Sequence, residues 1–262
     1  MIDNTRRSRK NGARAAVISI FIFLLIWQAS TTFTSLGILM PSPIVSLTAF
    51  FKSFVEPIGP YQIFIHIYWS LVRVVPFYIV GSIAGIILGI TMGWYKPIAA
   101  IFRPIFEILR PIPPIAWIPI AIVWFGIGEG SKWFLIFLAA FMNVTINSFA
   151  GARSTDPVLV GCSKMLGASD WQIFTSVVLP GSVPYIFAGL QVALSSSWAT
   201  IVAAEMIRSS EGVGWIIISS QETNNSVNTL VGVIAIGIVG FILAVIMREV
   251  EAVLVKWTKR DI

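Results

Sequence analysis

One acidic residue stands inside an otherwise apolar run of this sequence. Glu205 occurs in the stretch IVAAEMI, and the nearest ionisable residue is Arg208, three positions further on. If the run crosses a membrane, a charge at the bilayer centre costs roughly 2.5–3.5 kcal/mol on insertion scales. We therefore expect Glu205 towards the outer end of its segment. Two roles are open: an ion pair with Arg208 that ties the structure or latches a gate, and direct contact with a solute.

Uncharged polar side chains lie in two other apolar runs. Asn143 and Asn147 are four residues apart, so on a helix they share one face. Polar groups in a membrane helix usually point towards other helices or a water-filled path. The small residues of SSSWAT at 195–200 allow close helix approach, as at the seam of a homodimer, and are equally compatible with a solute path. This patch adds three candidates for the path: Ser196, Ser197 and Thr200.

Prolines mark a third candidate region, RPIPP at 110–114. Proline lacks the backbone N–H, so this stretch cannot form a regular helix. Irregular backbone at membrane depth is tolerated where it is buried in protein or lines a cavity. The stretch is therefore either a lead-in at the interface, with a helix starting at Ile115, or part of the path. Its candidates are Pro113, Pro114 and Trp117. Arg73, three residues before Pro76, either attracts anions or extends to the lipid headgroups.

The inventory of reactive side chains argues against an enzyme. The chain has one histidine, His66, and one cysteine, Cys162, and its sequence contains neither an HExxH nor a GxSxG motif. We therefore expect no catalytic residues, no metal site and no disulfide framework. The sequence also lacks the Gly-x-x-x-x-Gly-Lys-Ser/Thr motif, so this chain is not itself the subunit that binds ATP and Mg²⁺. No nucleic-acid partner is expected.

The composition is that of an integral membrane protein. Of 262 residues, 56% are hydrophobic and 11% are charged, whereas soluble domains carry about 25% charged residues. A bilayer core about 30 Å thick requires runs of roughly 20 apolar residues, and in lipid such runs form helices. The sequence predicts an all-α membrane protein with six transmembrane helices, at about 15–33, 70–94, 109–127, 133–151, 183–206 and 228–249.

The basic residues predict the orientation of the chain. With six crossings both termini lie on one side, and 14 of the 18 Lys and Arg residues share that side. Because cytoplasmic loops are enriched in Lys and Arg, both termini are predicted to be cytoplasmic, in the plasma (inner) membrane. The 14 residues are Arg6, Arg7, Arg9, Lys10, Arg14, Lys96, Arg103, Arg110, Arg153, Lys164, Arg248, Lys256, Lys259 and Arg260. Cleavage of the first segment as a signal peptide, after Ala29 or Thr31, is the alternative.

The predicted organisation follows from these crossings. It comprises a basic cytoplasmic tail at 1–14, the first helix with an outer loop at 15–65, and a core of five helices at 66–258. Within the core, a cytoplasmic loop occupies 152–182. A glycine turn precedes an apolar piece at 215–218, which is too short to span a membrane.

The cytoplasmic loop carries clear helix boundaries. Asp156, followed by a proline, predicts the start of a short helix that runs to Leu166. Gly167 supplies the left-handed residue that ends such a helix. One face of this helix is apolar and consists of Val158, Leu159, Cys162, Met165 and Leu166.

A second short helix is predicted after the glycine. Ser169 and Gln172 form a capping box, and Pro180 is expected to end the helix. Trp171 and Phe174 are expected to be exposed, and large exposed apolar side chains usually mark a binding surface. The helix pair either lies on lipid headgroups or fits a protein partner.

The spacing within this loop resembles the signature of the permease subunits of ABC importers. That signature runs Glu-Ala-Ala, three residues, Gly, nine residues, Ile, one residue, Leu-Pro. The residues at the matching spacings are Gly167, Val177, Leu179 and Pro180. The triplet at 161–163 is Gly-Cys-Ser in place of Glu-Ala-Ala. It is still small enough for close packing, but it lacks the charged contact that the glutamate gives.

The resemblance extends over about 66–258. RPIPPIAWIPIAIVWFGIGEGSK at 110–132, LGASDWQIFTSVVLP at 166–180 and SWATIVAAEMI at 197–207 look like the permease of taurine, sulfonate and nitrate importers. This resemblance implies a type I ABC importer permease fold and a homodimer. It also implies two ATP-binding subunits, which hold the ATP and Mg²⁺, and an external binding protein that delivers a small anion such as taurine, an alkanesulfonate or nitrate.

In these importers the loop docks on the ATP-binding subunit and converts its closure into movement of the membrane helices. The resemblance therefore implies a coupling contact at Gly161, Cys162, Ser163, Lys164, Gly167, Ala168, Ser169, Asp170, Trp171, Gln172, Leu179 and Pro180. The alternative is a secondary transporter driven by an ion gradient. Such proteins usually carry several intramembrane acids or repeated halves, and the sequence shows no partner acid for Glu205 and no repeat.

Overall fold

The chain folds into helices joined by short turns. The computed structural model describes residues 2–207 and 209–255, with side chains for residues 14–15, 17–207 and 209–255. The helices are α1 (Ile2–Phe33), α2 (Leu36–Leu39), α3 (Pro43–Lys52), α4 (Ile63–Trp94), α5 (Lys96–Leu109), α6 (Ile118–Phe125), α7 (Glu129–Arg153), α8 (Pro157–Met165), α9 (Asp170–Ile173), α10 (Leu179–Ile207), α11 (Val213–Glu222) and α12 (Ser226–Leu254). A 3₁₀ turn precedes α6 at Pro114–Trp117, and a π turn joins α9 to α10 at Phe174–Val178.

Four helices are long and apolar enough to cross a membrane: Ile63–Trp94, Glu129–Arg153, Asp170–Ile207 and Ser226–Leu254. Two bent pairs raise the number to six if each pair counts as one span. They are Val17–Phe33 with Leu36–Lys52, bent by 99°, and Lys96–Leu109 with Pro114–Phe125, bent by 89°. The all-α membrane fold is therefore confirmed with four to six candidate spans, and six crossings remain a prediction.

The third predicted crossing is wrong as a single helix. The span predicted at 109–127 is not one helix, because α5 ends at Leu109 and α6 begins only at Ile118. The prolines remove backbone donors where the sequence indicated a break, but an unpredicted helix, α5, precedes that break. The outer loop predicted within 15–65 contains two short helices, α2 and α3, and Phe50 of α3 is buried in the main core.

Part of the charge pattern lies outside the described residues. Arg208, Lys256, Lys259 and Arg260 are not described, nor are the side chains of Arg6, Arg7, Arg9 and Lys10. The ion pair predicted between Glu205 and Arg208 falls in this part of the chain. The cytoplasmic position of both termini stays a prediction.

Glycines at four-residue intervals bring α4 against α7. A Cβ built on Gly85 would lie 2.9 Å from the carbonyl oxygen of Phe141, and one built on Gly89 would lie 2.5 Å from that of Thr145. Ordinary contact begins at 3.4 Å, so only glycine allows this approach. Small residues one turn apart are how membrane helices pack backbone to backbone. The helix α7, which carries Asn143 and Asn147, is therefore fixed closely on α4.

The fifth predicted crossing begins earlier than expected. Pro180 does not end a helix, because α9, the π turn and α10 form one continuous helix over Asp170–Ile207. At the π turn, the N–H of Leu179 reaches back to the carbonyl of Phe174, five residues earlier. A widened turn directly before a proline accommodates the missing donor without ending the helix.

Candidate functional site

A cavity opens where the chain breaks between α5 and α6. Its volume is about 430 Å³ and it is partly open to the surface. The walls are the break itself, the middle of α7 and one face of α10. The lining residues are Leu109, Arg110, Pro111, Ile112, Pro113, Pro114, Trp117, Leu138, Met142, Asn143, Ile146, Asn147, Val192 and Ser196. Six residues that the sequence indicated for a path are thus brought together: Pro113, Pro114, Trp117, Asn143, Asn147 and Ser196.

The polar groups of this cavity favour a small anion. Among the described residues that line it, Arg110 is the single charged side chain. The neutral polar side chains are Asn143, Asn147 and Ser196, on two different helices. A cleft lined by one sign of charge and by low-dielectric walls concentrates the opposite charge. The cavity can therefore hold a small solute with an anionic group beside Arg110 and hydrogen-bonding groups opposite it.

The two asparagines are held by their own helix. Nδ2 of Asn143 donates to the carbonyl oxygen of Ala139 at 2.8 Å, and Nδ2 of Asn147 donates to that of Asn143 at 2.8 Å. Both amides thus donate within α7, and among the described residues neither forms a hydrogen bond to another helix. Each side-chain oxygen can still accept a hydrogen bond. Asn147 also packs against Gly189 of α10.

Three other predicted path residues do not line this cavity. Ser197 is fully buried and its hydroxyl donates to the carbonyl oxygen of Ile136 at 3.4 Å. Thr200 is buried and donates to the carbonyl oxygen of Ser196 at 2.7 Å. Glu205 is 0% exposed and belongs to a separate polar cluster. Their predicted role in a path or gate remains a prediction.

Arg73 is the centre of that cluster. Its Nε donates to Glu129 at 2.7 Å, its Nη1 to Glu205 at 3.0 Å and its Nη2 to Glu211 at 2.6 Å. The arginine side chain is only 3% exposed, so it does not extend to the lipid headgroups, and its attraction for anions stays a prediction. We call Arg73, its three acidic partners Glu129, Glu205 and Glu211, and Ser70, which donates to Glu205, the Arg73 cluster.

The Arg73 cluster corrects the expectation that Glu205 has no acidic neighbour. Glu205 has two acidic neighbours around the same guanidinium, Glu129 and Glu211, although the sequence showed no partner acid. Glu129 also accepts from Lys132 at 2.9 Å. A buried carboxylate is tolerated when it is paired and its remaining lone pairs are hydrogen-bonded. Glu205 meets both conditions, because Ser70 Oγ lies 2.9 Å from each of its oxygens.

Two members of this cluster, together with His66, cap the helix α11. The backbone N–H of Gly212 donates to His66 Nδ1 at 3.1 Å, that of Val213 to Ser70 Oγ at 3.0 Å and that of Gly214 to Glu205 at 3.1 Å. These are the first donors of α11, which have no partner within the helix. The apolar piece predicted at 215–218 is thus a longer helix, Val213–Glu222, with Val213 and Ile216 fully buried.

Glu211 lies in the turn between α10 and α11, outside the candidate spans. Partial burial raises the pKa of this carboxyl, but hydrogen bonds from Ser210 and Arg73 and the positive charges of Arg73 and Lys132 outweigh it. The net effect is a pKa below the ordinary value of 4.5. Glu211 is therefore ionised at neutral pH and holds the turn on Arg73.

At the far end of α4, the loop between α7 and α10 has the predicted local structure. The side chain of Asp156 accepts from the N–H of Val158 at 2.8 Å, and α8 follows. Gly167 has φ +82°, the left-handed conformation predicted for it. Ser169 and Gln172 form both hydrogen bonds of the capping box. These turns are fixed by local hydrogen bonds.

This loop presents apolar side chains on the surface. Met165 and Leu166 are 88% exposed and Trp171 is 66% exposed. Phe174, which the sequence placed on the exposed face, is instead half-buried and lies near Trp94, with ring centroids 6.3 Å apart. Val160 and Ala168 also pack on the core beneath. One face of the loop thus packs on the core, and the opposite face exposes apolar side chains.

The other predicted coupling residues lie on or near this exposed face. Gly161 has open space around its Cα, and Cys162 is exposed as a free thiol. Lys164 forms an exposed ion pair with Asp170 at 3.4 Å. The hydroxyl of Ser163 donates to the carbonyl oxygen of Leu159. Leu179 and Pro180 follow, exposed, at the start of α10.

The comparison with known proteins fits this architecture. Residues 81–260 match the family described as binding-protein-dependent transport system inner membrane component. The chain belongs to this family of ABC importer permeases. The match includes the cavity, the loop between α7 and α10, and Glu205.

Two curated relatives and one solved structure place the chain further within this family. It is 38% identical to the taurine transport system permease protein TauC of Escherichia coli, over 73% of this chain and 70% of the relative. It is 32% identical to the nitrate import permease protein NrtB of Synechocystis, over 91% of this chain and 88% of the relative. A chain of the MetNI methionine ABC transporter, solved in inward-facing conformations, has a similar fold, with a TM-score of 0.54 and 18% identity over 73% of this chain and 97% of that one.

The family confirms the resemblance read from the loop signature and from the three longer stretches. It also makes the chain a multi-pass inner-membrane protein and a transport component. Sequence reasoning missed the three contacts of Arg73 with acidic residues, and Arg73 lies outside the matched residues 81–260. The sequence alone does not show in which direction the side chain of Arg73 points. The glycine series of α4 was readable in the sequence as a four-residue repeat.

Proposed function

We propose that this chain is the permease subunit of an ATP-driven importer of small anions such as taurine, an alkanesulfonate or nitrate. Two copies form the membrane channel, two ATP-binding subunits bind on the cytoplasmic side, and a solute-binding protein delivers the anion from outside. Both termini face the cytoplasm. ATP and Mg²⁺ are held by the partner subunits, and this chain carries no catalytic residue.

The observation that carries this proposal is the loop between α7 and α10. Capped turns, a left-handed Gly167 and a core contact through Phe174 fix its shape. Trp171, Met165 and Leu166 remain exposed on it. Large exposed apolar side chains on a pre-formed surface are typical of a binding site for another protein. The loop therefore supports the ATP-binding subunit as its partner, with Gly167 to Gln172 as the contact.

The cavity supports the choice of solute. Arg110 supplies the positive charge, and the asparagine oxygens and Ser196 supply hydrogen-bonding groups. Taurine and nitrate, named for the two relatives, both carry an anionic group. A volume of about 430 Å³ exceeds what either ion needs, which leaves room for water.

Uptake by the reconstituted importer tests this proposal. The chain, its ATP-binding subunits and its binding protein are placed in liposomes with ATP enclosed, and uptake of labelled taurine and nitrate is measured. Uptake of at least one anion is expected only with ATP. Uptake driven by a proton or sodium gradient without ATP would make the chain a secondary transporter and overturn the proposal.

A variant tests the role of the cavity. Arg110→Gln removes the charge while keeping a polar side chain, so the concentration for half-maximal uptake of the anion should rise about tenfold or more, as expected for one charge-assisted hydrogen bond. Arg103→Gln is the matched control, because Arg103 is paired with Glu107 on the exposed side of α5. Equal effects of the two substitutions would remove Arg110 from the path.

A further inference from the structure

The Arg73 cluster joins four elements at one end of the bundle. Arg73 and Ser70 lie on α4, Glu129 in the first turn of α7, Glu205 near the end of α10, and Glu211 before α11. Nη1 of Arg73 also donates to the carbonyl oxygen of Glu211 at 3.1 Å. The family match and the local sequence assign no role to this cluster.

The helix α4 contacts the continuous helix Asp170–Ile207, which contains α10, at three levels along its length. The Arg73–Glu205 pair is the first. In the middle, Tyr78 Oη donates to the carbonyl oxygen of Leu190 at 3.0 Å. At the other end, Trp94 faces Phe174, with centroids 6.3 Å apart. Arg73 and Trp94 are 21 residues apart on one helix, which at 1.5 Å per residue is roughly 30 Å, the thickness of a bilayer core.

We propose that Arg73 is a positioning residue that carries movement of the loop between α7 and α10 to the turn before α11, on the opposite side of the membrane. In this proposal, which rests on the proposed function, α4, α7, α10 and the start of α11 move as one body. A displacement of the loop by the ATP-binding subunit then displaces the turn at 209–212, while the contacts within the body stay unchanged. Conversely, a solute-binding protein that touches this turn changes ATP hydrolysis.

The geometry requires an arginine for this task. Three different nitrogens of one planar guanidinium reach three carboxylates on three elements, at 2.7, 3.0 and 2.6 Å. A lysine has a single ammonium on a flexible side chain, so it keeps the charge but cannot fix three carboxylates in the directions that the guanidinium sets. Arg73→Lys therefore separates positioning from simple charge compensation of the buried Glu205.

The test uses the complete importer in liposomes and compares ATP hydrolysis without and with the loaded binding protein. For Arg73→Lys we expect assembly and basal hydrolysis like those of the unsubstituted importer. The stimulation by the binding protein should fall about fivefold or more, the lower bound of typical coupling between two sites. Arg103→Lys, the same substitution at the exposed Arg103–Glu107 pair, is the control and should leave stimulation unchanged.

Each outcome decides the proposal. Full stimulation in Arg73→Lys overturns it, because the three-way contact is then dispensable. If Arg73→Lys does not assemble, the double variant Arg73→Gln with Glu205→Gln removes both buried charges, and loss of stimulation with retained assembly is expected. Full stimulation in that double variant, or failure of both variants to assemble, shows a role in folding alone. ATP-independent uptake by the unsubstituted importer would instead refute the proposed function.

Discussion

Substitution of Gly89 tests whether α4 packs closely on α7, the helix that forms one wall of the cavity. In Gly89→Ala the new Cβ would lie 2.5 Å from the carbonyl oxygen of Thr145 and 2.7 Å from Cβ of Ser148. Because ordinary contact begins at 3.4 Å, the helices α4 and α7 must separate by about 0.9 Å, the difference between 3.4 and 2.5 Å. Overpacking of this kind costs about 1–3 kcal/mol.

A glycine-to-alanine substitution should stabilise the protein where the added Cβ meets no neighbour. Gly237 of α12 has no neighbour among the described residues within 4 Å of its added Cβ. Gly237→Ala should therefore stabilise its helix, by up to about 1 kcal/mol, since alanine favours the helix more than glycine does. The two variants share their chemistry, so the difference between them isolates the cost of contact with α7.

Thermal unfolding of the purified protein measures that difference. With about 2–4 °C per kcal/mol for a chain of this size, Gly89→Ala should unfold at least about 2–4 °C below Gly237→Ala. Because α7 carries Asn143 and Asn147, anion uptake should fall in Gly89→Ala as well. Equal unfolding temperatures of the two variants would refute the close packing of α4 on α7.

Two further predictions concern the loop and the turn before α11. The added Cβ of Gly167→Ala meets no neighbour among the described residues, but the alanine must adopt φ +82°. The substitution should therefore lower the free energy of unfolding by about 1 kcal/mol or more and slow uptake. Gly161→Ala, inside α8 and equally uncrowded, should do neither, and equal uptake by the two variants would contradict this prediction. Because the folded-state pKa of Glu211 is below 4.5, its stabilisation is present above that pH and is lost as the pH falls through the folded value. The difference in unfolding temperature between the unsubstituted protein and Glu211→Gln should therefore shrink from pH 7 to pH 3, and a constant difference would contradict the prediction.

The features set by neighbouring residues could be predicted from the sequence. The cap at Asp156, the turn at Gly167 and the capping box at Ser169 each depend on residues within a few positions of one another. Their hydrogen bonds form in almost any tertiary setting. The loop could therefore be described, and its family signature found, before the structure.

The features set by helix rotation and packing could not be predicted. Glu205 pairs with Arg73, 132 residues away in the sequence, because α4 turns the Arg73 side chain inward. The prolines at 110–114 predicted a break, but its angle of 89°, which opens the cavity, depends on packing against α7. A π turn likewise lets α10 pass through Pro180, which local rules would take as an end.

Site-specific cross-linking in living cells tests the central claim most directly. A photoreactive amino acid is placed at Trp171, which is 66% exposed on the loop, and at Tyr68, which is 60% exposed near the Arg73 cluster at the other end of α4. The account predicts that Trp171 captures a protein with a P-loop ATP-binding motif, identified by mass spectrometry, and that Tyr68 does not. Absence of that protein from the products at Trp171, or its equal capture at both positions, would contradict the account.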